Sequence, residues 1–346
     1  CTIGGNVAEN SGGVHCLKYG LTVHNLLKVE MVTVEGDLIT LGSEGLDSNG
    51  IDLMALITGS EGLLGVITEV MVKLLPSPEK AQVIMAAFDS VQTAGDAVGA
   101  VIAKGIIPAG LEMMDSHAIV AAEAFAQAGY PIDAQALLLC ELDGMAAEVE
   151  EQIAVVEQLF IELGATSTRV SQSEAERALL WKGRKSAFPA VGRISPDYYC
   201  MDGTIPRGQL AHVLTEMQRL SEYYGLRVAN VFHAGDGNLH PFILFDANVP
   251  GEFEKTEAFG GRILELCVEV GGCITGEHGV GIEKIRQMSV QFNEQELGQF
   301  WAIKHAFDPP GTLNPGKGIP ILKNCQEYRA LEKPNMEAKH QQGGQL

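Results

Sequence analysis

Val231-Phe-His-Ala-Gly-Asp-Gly-Asn-Leu-His-Pro241 reads as two strands joined by a turn. Strand-forming residues lead into it from Leu226 and continue after it from Phe242 to Phe245. Ala234-Gly235-Asp236-Gly237-Asn238 is turn chemistry, with glycines able to take positive φ. His233 and His240 lie seven positions apart. In one continuous strand that odd separation would put them on opposite faces; a tight reversal brings both imidazoles to one side. A second glycine-rich segment, Gly276-Glu-His-Gly-Val-Gly-Ile-Glu-Lys284, adds Glu277 and His278. As neighbours in an extended loop, these two face opposite ways.

Two histidines and one carboxylate, with coordination positions left open, suit a catalytic divalent ion such as Zn, Mn or Fe. His233, His240 and Glu277 are the expected ligands, and His278 is the spare base. The competing reading is a set of turn and surface histidines with ordinary hydrogen bonds. Their grouping in two loops between buried-looking segments favours the metal.

Composition bounds what this centre can serve. Lys+Arg total 24 against Asp+Glu 44, a net charge of -20, which excludes the basic footprint of a nucleic-acid surface. No apolar run approaches a membrane span. The length of 346 residues predicts one large or two ordinary domains. Seven scattered cysteines without a CxxC spacing read as reduced thiols of a cytosolic protein, with no disulfide framework and no iron–sulfur pattern. The chain starts at Cys1 without a signal peptide and is expected to be a fragment of a longer protein.

Outward from the hairpin, Gly4-Gly5-Asn6-Val7-Ala8-Glu9-Asn10-Ser11-Gly12-Gly13 reads as a loop whose backbone N–H groups can approach a diphosphate, or as a plain loop. Val29 to Leu41 reads as a hairpin, Ile51 to Ile57 as a short helix, Thr58 to Gly62 as a glycine turn, and a strand starts near Val66. Pro76-Ser77-Pro78 is the candidate domain boundary. Beyond it, strands at 82–88, 136–142 and 166–170 alternate with helices at 91–104, 116–127 and 146–163, an α+β layer of ferredoxin-like type. The helix at 173–187 carries Arg184, either a clamp for a substrate carboxylate or a solvated charge. A strand from Tyr198 to Ile205, a helix from Pro206 to Tyr224, and helices at 252–270 and 293–307 complete the reading.

Five ordered motifs carry a resemblance: Gly4 to Gly13, Gly59-Ser-Glu-Gly-Leu-Leu-Gly65, His233 to His240, Gly276-Glu-His-Gly279 and Asn314-Pro-Gly-Lys317. Over nearly all of residues 1–320 the chain resembles the FAD-linked 2-hydroxy-acid dehydrogenases of the vanillyl-alcohol-oxidase flavoprotein superfamily. FAD-linked subunits of bacterial glycolate oxidases, D-lactate dehydrogenases and D-2-hydroxyglutarate dehydrogenases belong there. The resemblance implies that residues 1–75 are the C-terminal part of a PCMH-type FAD-binding domain. It implies a ferredoxin-like substrate or cap domain with a helical C-terminal segment over 76–320; the polar composition of 321–346 reads as a disordered tail.

By position it implies that Gly4, Gly5, Asn6, Asn10, Gly12 and Gly13 line the FAD diphosphate. Gly59, Gly62, Gly65 and Ile67 approach its adenosine and flavin parts, and Asn314 lies near the isoalloxazine. It assigns His233, His240 and Glu277 to the metal, His278 to proton abstraction and Arg184 to the substrate carboxylate. The implied reaction oxidises glycolate or D-lactate to the 2-oxo acid. Cys200 stands where relatives that bind a second carboxylate carry a lysine, which disfavours a dicarboxylate such as D-2-hydroxyglutarate. Electrons are expected to leave through FAD-binding and iron–sulfur partner subunits, which would place the protein in the cytoplasm or peripherally at the inner membrane. Members of the family begin with a further FAD subdomain bearing its own Gly-rich loop, and this chain is expected to be a fragment that lacks it. Two rivals stand: a zinc hydrolase, which lacks HExxH and leaves the Gly4 and Gly59 loops unexplained, and a non-catalytic fragment.

Overall fold

The computed structural model describes residues 1–45 and 50–321, so the expected tail disorder beyond Ile321 lies outside the described residues. Two separate sheets organise the chain. The first is antiparallel, formed by β1 (Leu26–Val32), β2 (Leu38–Gly42) and β3 (Val66–Val72) in the order β2-β1-β3. Val7, Leu26, Val29, Met31, Ile57 and Leu64 form its small core.

One expectation is corrected here. The Gly4 to Gly13 stretch is not a loop along its whole length, because Ile3–Glu9 is helical. The Thr2 side chain accepts from the Gly5 N–H and caps the first turn, Val7 is buried, and Asn10 ends the helix at φ 48. A good cap and one buried anchor offset the weak helix propensity of two glycines.

The second sheet contains β4 (Lys80–Phe88), β5 (Gly110–Asp115), β6 (Ala136–Gly144), β7 (Ser167–Val170), β8 (Asp197–Cys200), β9 (Arg227–His233) and β10 (Asn238–Phe245). Its order is β7-β4-β6-β5-β9-β10-β8, with every pairing antiparallel. The run β7-β4-β6-β5 is a complete ferredoxin-like arrangement, and β9-β10-β8 repeats three strands of a second one. The halves join where β5 meets β9, through Met113↔Phe232 and Met114↔Val231.

Both faces of this sheet are covered. Helices Val91–Ala103, Ala146–Glu162, Leu210–Tyr224 and Glu252–Glu269 bury Leu111, Met113, Leu138, Phe232 and Leu239. Helices Ser116–Ala126, Glu174–Lys185 and Ala187–Val191 cover Met114, Leu137, Ala229, Val231 and Phe242. Strands buried on both sides lose the polar alternation that announces a strand. β5 is such a strand and escapes a reading based on alternation. The expected strand over Tyr198 to Ile205 is also shorter: ladder pairing ends at Cys200, and Thr204 makes only isolated bridges to Asn238 and Cys273. The helix after Pro206 likewise begins later, at Leu210, after a 3-10 turn at Arg207–Gln209. Met201 and Gly203 still bond to β10, through the Met201 N–H to the Pro241 carbonyl (3.2 Å) and the Leu239 N–H to the Gly203 carbonyl (2.9 Å), and Asp202 between them is buried.

At the C-terminal end, helix Glu294–Phe307 starts on an Asn293–Glu296 capping box. Its buried Lys304 donates to the carbonyls of Leu63 (2.8 Å) and Leu313 (2.7 Å) and pairs with Asp308. This lysine fastens the last helix to the glycine turn after Ile57.

Candidate functional site

The β9–β10 hairpin sets the first two side chains. His233 pairs with Asn238 and His240 with Val231 across the ladder. Val231 lies on the face covered by Glu174–Lys185, so His240, directly opposite, shares that face. The two imidazoles stand edge to face with ring centroids 5.0 Å apart. Glu277 enters from its loop, Oε1 lying 2.9 Å from His240 Nε2 and 3.5 Å from His233 Nε2. The three candidate ligand atoms fall within 4.8 Å of one another. His278 stands beside them, its ring centroid 5.2 Å from that of His240 and its side chain 39% exposed. The trio and the extra imidazole expected from two distant stretches do meet.

The electrostatics suit a cation. Both ring nitrogens of His240 are buried without a hydrogen-bond partner, since the approach of Glu277 lies outside hydrogen-bond geometry. Burial pushes the His240 pKa down, which keeps the ring neutral with a lone pair available. Burial alone would raise the Glu277 pKa, but the two imidazoles outweigh it and hold the carboxyl well below its usual range. Burial opposes a charge on His233 too, yet Glu112 wins and lifts its pKa to about 10 in the absence of a metal. A neutral imidazole with a free lone pair and an ionised carboxylate, converging with a second imidazole that gives up a proton on binding, fit a divalent ion.

Three supporting residues were not singled out from the sequence. Glu112 on β5 is 1% exposed; its Oε1 meets His233 Nδ1 at 2.7 Å and its Oε2 meets Arg184 Nη2 at 2.6 Å. The signal was a lone acid in the otherwise apolar run Leu111 to Met114. Asp202, fully buried, accepts the N–H groups of Gly276 (2.9 Å), Glu277 (2.9 Å) and His278, and pairs with buried Lys284 at 2.8 Å. Desolvation disfavours its charge, but Lys284 and then His278 hold the Asp202 pKa below its ordinary value. Gly276 leaves no room for a side chain, since an added Cβ would lie 2.5 Å from Asn238 Nδ2.

Arg184 is not a solvated charge: its side chain is 6% exposed, tied to Glu112, with Nε lacking a partner. The remaining candidates gather around the first sheet. Gly12 faces Glu277, where an added Cβ would come 3.4 Å from Oε2, and Gly13 lies next to it at 3.9 Å. Gly4 lies against the Ile67 carbonyl, Gly59 against Asn10, Gly62 against Asn314 and Gly65 against Met31. Gly5 and Asn6 sit within the first helix. Asn314 donates to the Glu61 carbonyl at 2.6 Å, while the Glu61 carboxylate accepts from Val280 and Gly281, each at 2.7 Å. The glycine turn is thereby bound to the loop that carries Glu277 and His278. A cavity of about 720 Å³ opens beside Gly12 and Gly13, bordered also by Trp181, Lys182, Lys185 and Ser186.

Comparison with known proteins places this geometry in context. Residues 77–318 match the domain described as "FAD linked oxidases, C-terminal domain", and residues 1–42 match "FAD binding domain". The glycolate oxidase subunit GlcD of Escherichia coli strain K12 is 66% identical over 331 residues, covering 96% of this chain and 66% of the relative. GlcD of Bacillus subtilis strain 168 is 38% identical over 91% of this chain and 67% of its own, and a D-lactate dehydrogenase of Anaerostipes hadrus is 30% identical over 91% and 68%. The chain therefore spans about two thirds of the length of these relatives. Among solved structures, p-cresol methylhydroxylase with substrate bound superimposes with a TM-score of 0.72 at 15% identity, covering 91% of this chain and 68% of that one, a likeness of fold.

Proposed function

The chain belongs to the FAD-linked oxidases, and from that premise we propose that it oxidises a short 2-hydroxy acid, glycolate first, to the 2-oxo acid. The observation that carries this reading is the convergence of His233, His240, Glu277 and His278 on one point bordered by Gly12 and Gly13. We assign residues 1–75 to an FAD-binding domain and 76–320 to a substrate-binding cap. FAD, when bound along Gly4, Gly5, Asn6, Asn10, Gly12, Gly13, Gly59, Gly62, Gly65, Ile67 and Asn314, supplies the hydride acceptor. A divalent ion held by His233, His240 and Glu277 supplies Lewis acidity toward the substrate hydroxyl.

The chain's own residues do the rest. His278, the most open imidazole of the cluster, takes the hydroxyl proton, and its Nδ1 stands 3.7 Å from Asp202 Oδ2, a counter-charge for the imidazolium formed. Arg184, buried and with an unpaired Nε, receives the substrate carboxylate and fixes which face of the α-carbon is presented. Asp202 and Lys284 keep the base-bearing loop in place. Electrons leave through partner subunits. Among the described residues no helix is long and apolar enough to cross a membrane.

A second substrate, D-lactate, is favoured by the Anaerostipes hadrus relative. Steady-state oxidation of glycolate, D-lactate and D-2-hydroxyglutarate with an artificial dye acceptor orders the three; the highest kcat/KM is expected for glycolate and the lowest for D-2-hydroxyglutarate. His278→Ala is expected to slow flavin reduction by substrate about 10²–10⁴-fold. An unchanged rate removes the assigned base. Activity that survives exhaustive chelation removes the metal.

A further inference from the structure

We infer that Glu112 is a positioning residue that locks both ends of the site into one geometry, and this rests on the metal reading above. Its carboxylate emerges from β5 into the face where the apolar Leu137, Val231 and Phe242 pack, and it is 1% exposed. A carboxylate in such a place is retained only when both oxygens are engaged by charged or strongly donating groups. Here they are engaged by two different functional side chains. Oε1 lies 2.7 Å from His233 Nδ1, and Oε2 lies 2.6 Å from Arg184 Nη2.

The first contact fixes a tautomer. With Nδ1 donating its hydrogen to Glu112, Nε2 is the nitrogen left to face a metal, once binding of the ion displaces its proton. That nitrogen is the one directed at the common point, 3.5 Å from Glu277 Oε1. The second contact is an ion pair outside hydrogen-bond geometry; it holds the Arg184 head beside Glu112 and leaves Nε without a partner. One carboxylate therefore sets the distance between the ligand histidine and the arginine assigned to the substrate. The β5–β9 register makes this possible: Met113↔Phe232 and Met114↔Val231 place Glu112 next in line opposite His233.

The test is metal affinity rather than turnover. The 346-residue chain is stripped with a chelator and titrated with Zn²⁺ or Co²⁺ against a competing indicator, as wild type, Glu112→Gln and Glu112→Asp. The glutamine variant keeps the shape but carries no charge and one acceptor oxygen in place of two, so it cannot serve His233 Nδ1–H and Arg184 together. Its affinity is expected to fall about 10–100-fold. The aspartate variant, which keeps the charge on a shorter arm, is expected to recover part of that loss. Circular dichroism melting of the same metal-free samples guards against misfolding, and a purely structural role predicts lowered melting with no change in affinity. Tight binding by wild type with affinity in Glu112→Gln within threefold overturns the positioning role and leaves the metal reading standing. A wild-type chain that takes up neither ion overturns both.

Discussion

The two halves of the candidate cation cluster are held by different physics. His233 and His240 sit on neighbouring strands of a sheet covered on both faces, so their spacing follows from ladder register and from the helices packed above. Glu277 and His278 sit on a loop outside any ladder, and three consecutive N–H groups of that loop converge on the single carboxylate of Asp202. The sheet-borne half is over-determined by many weak contacts. The loop-borne half depends on a few polar anchors, chiefly the buried pair of Asp202 with Lys284, with Glu61 holding Val280 and Gly281. Precise placement can thus come from redundancy or from a few strongly held anchors, and the second is far easier to destroy.

The sharpest way to break this contrast is Asp202→Asn. Lys284, buried to 1% exposure, then loses its counterion. A loss of about 3–5 kcal/mol in urea unfolding is expected, the range for splitting a buried pair. Hydrogen exchange should show the amides of 276–278 deprotected while those of 228–233 stay protected. Equal deprotection of both would show that the halves are not separately held.

A milder probe is Gly276→Ala, which drives a methyl group into the Asn238 amide. It should cost about 1–3 kcal/mol, as overpacking does. Metal affinity should drop through Glu277 while the hairpin ladder, followed by amide exchange, is unmoved. If Asn238 swings aside without cost, the loop is looser than the geometry states.

The smallest effect distinguishes the halves by pH in metal-free protein. His233, raised from 6.5 to about 10, contributes stability that is fully present below pH 6.5 and lost as pH rises through 10. Glu277, lowered from 4.5, contributes stability present above pH 4.5 and lost as pH falls below it toward its depressed value. His233→Gln should flatten the alkaline limb of the melting-temperature profile and Glu277→Gln the acid limb. Each change is expected at roughly 2–4 °C per kcal/mol of linkage. Crossed effects would merge the two halves into one titrating unit.

The sequence carried the hairpin because its signals are local: turn glycines between strand-forming runs put His233 and His240 on one side. The alternating strands and helices of the ferredoxin-like layer were legible for the same reason. β5 was not, since Leu111, Met113 and Met114 leave no polar alternation, and with it Glu112 went unnoticed. Asp202 was hidden differently. It sits in a run that reads as strand, and its partner amides lie 74 to 76 positions further along the chain. Helicity over Ile3–Glu9 was missed because a cap at Thr2 and burial of Val7 outweigh what two glycines suggest. Arg184 offered two readings to the sequence alone; its burial against Glu112 rules out the solvated one.

The junction of the two ferredoxin-like units has a consequence for how this chemistry is inherited. Glu112 comes from one unit and His233 and His240 from the other, with the pairing of β5 to β9 running between them. Neither unit alone holds both the candidate ligand His233 and its buried carboxylate partner. Any recombination that swaps one unit must also preserve the seam, so the two are bound to travel together as a single heritable block.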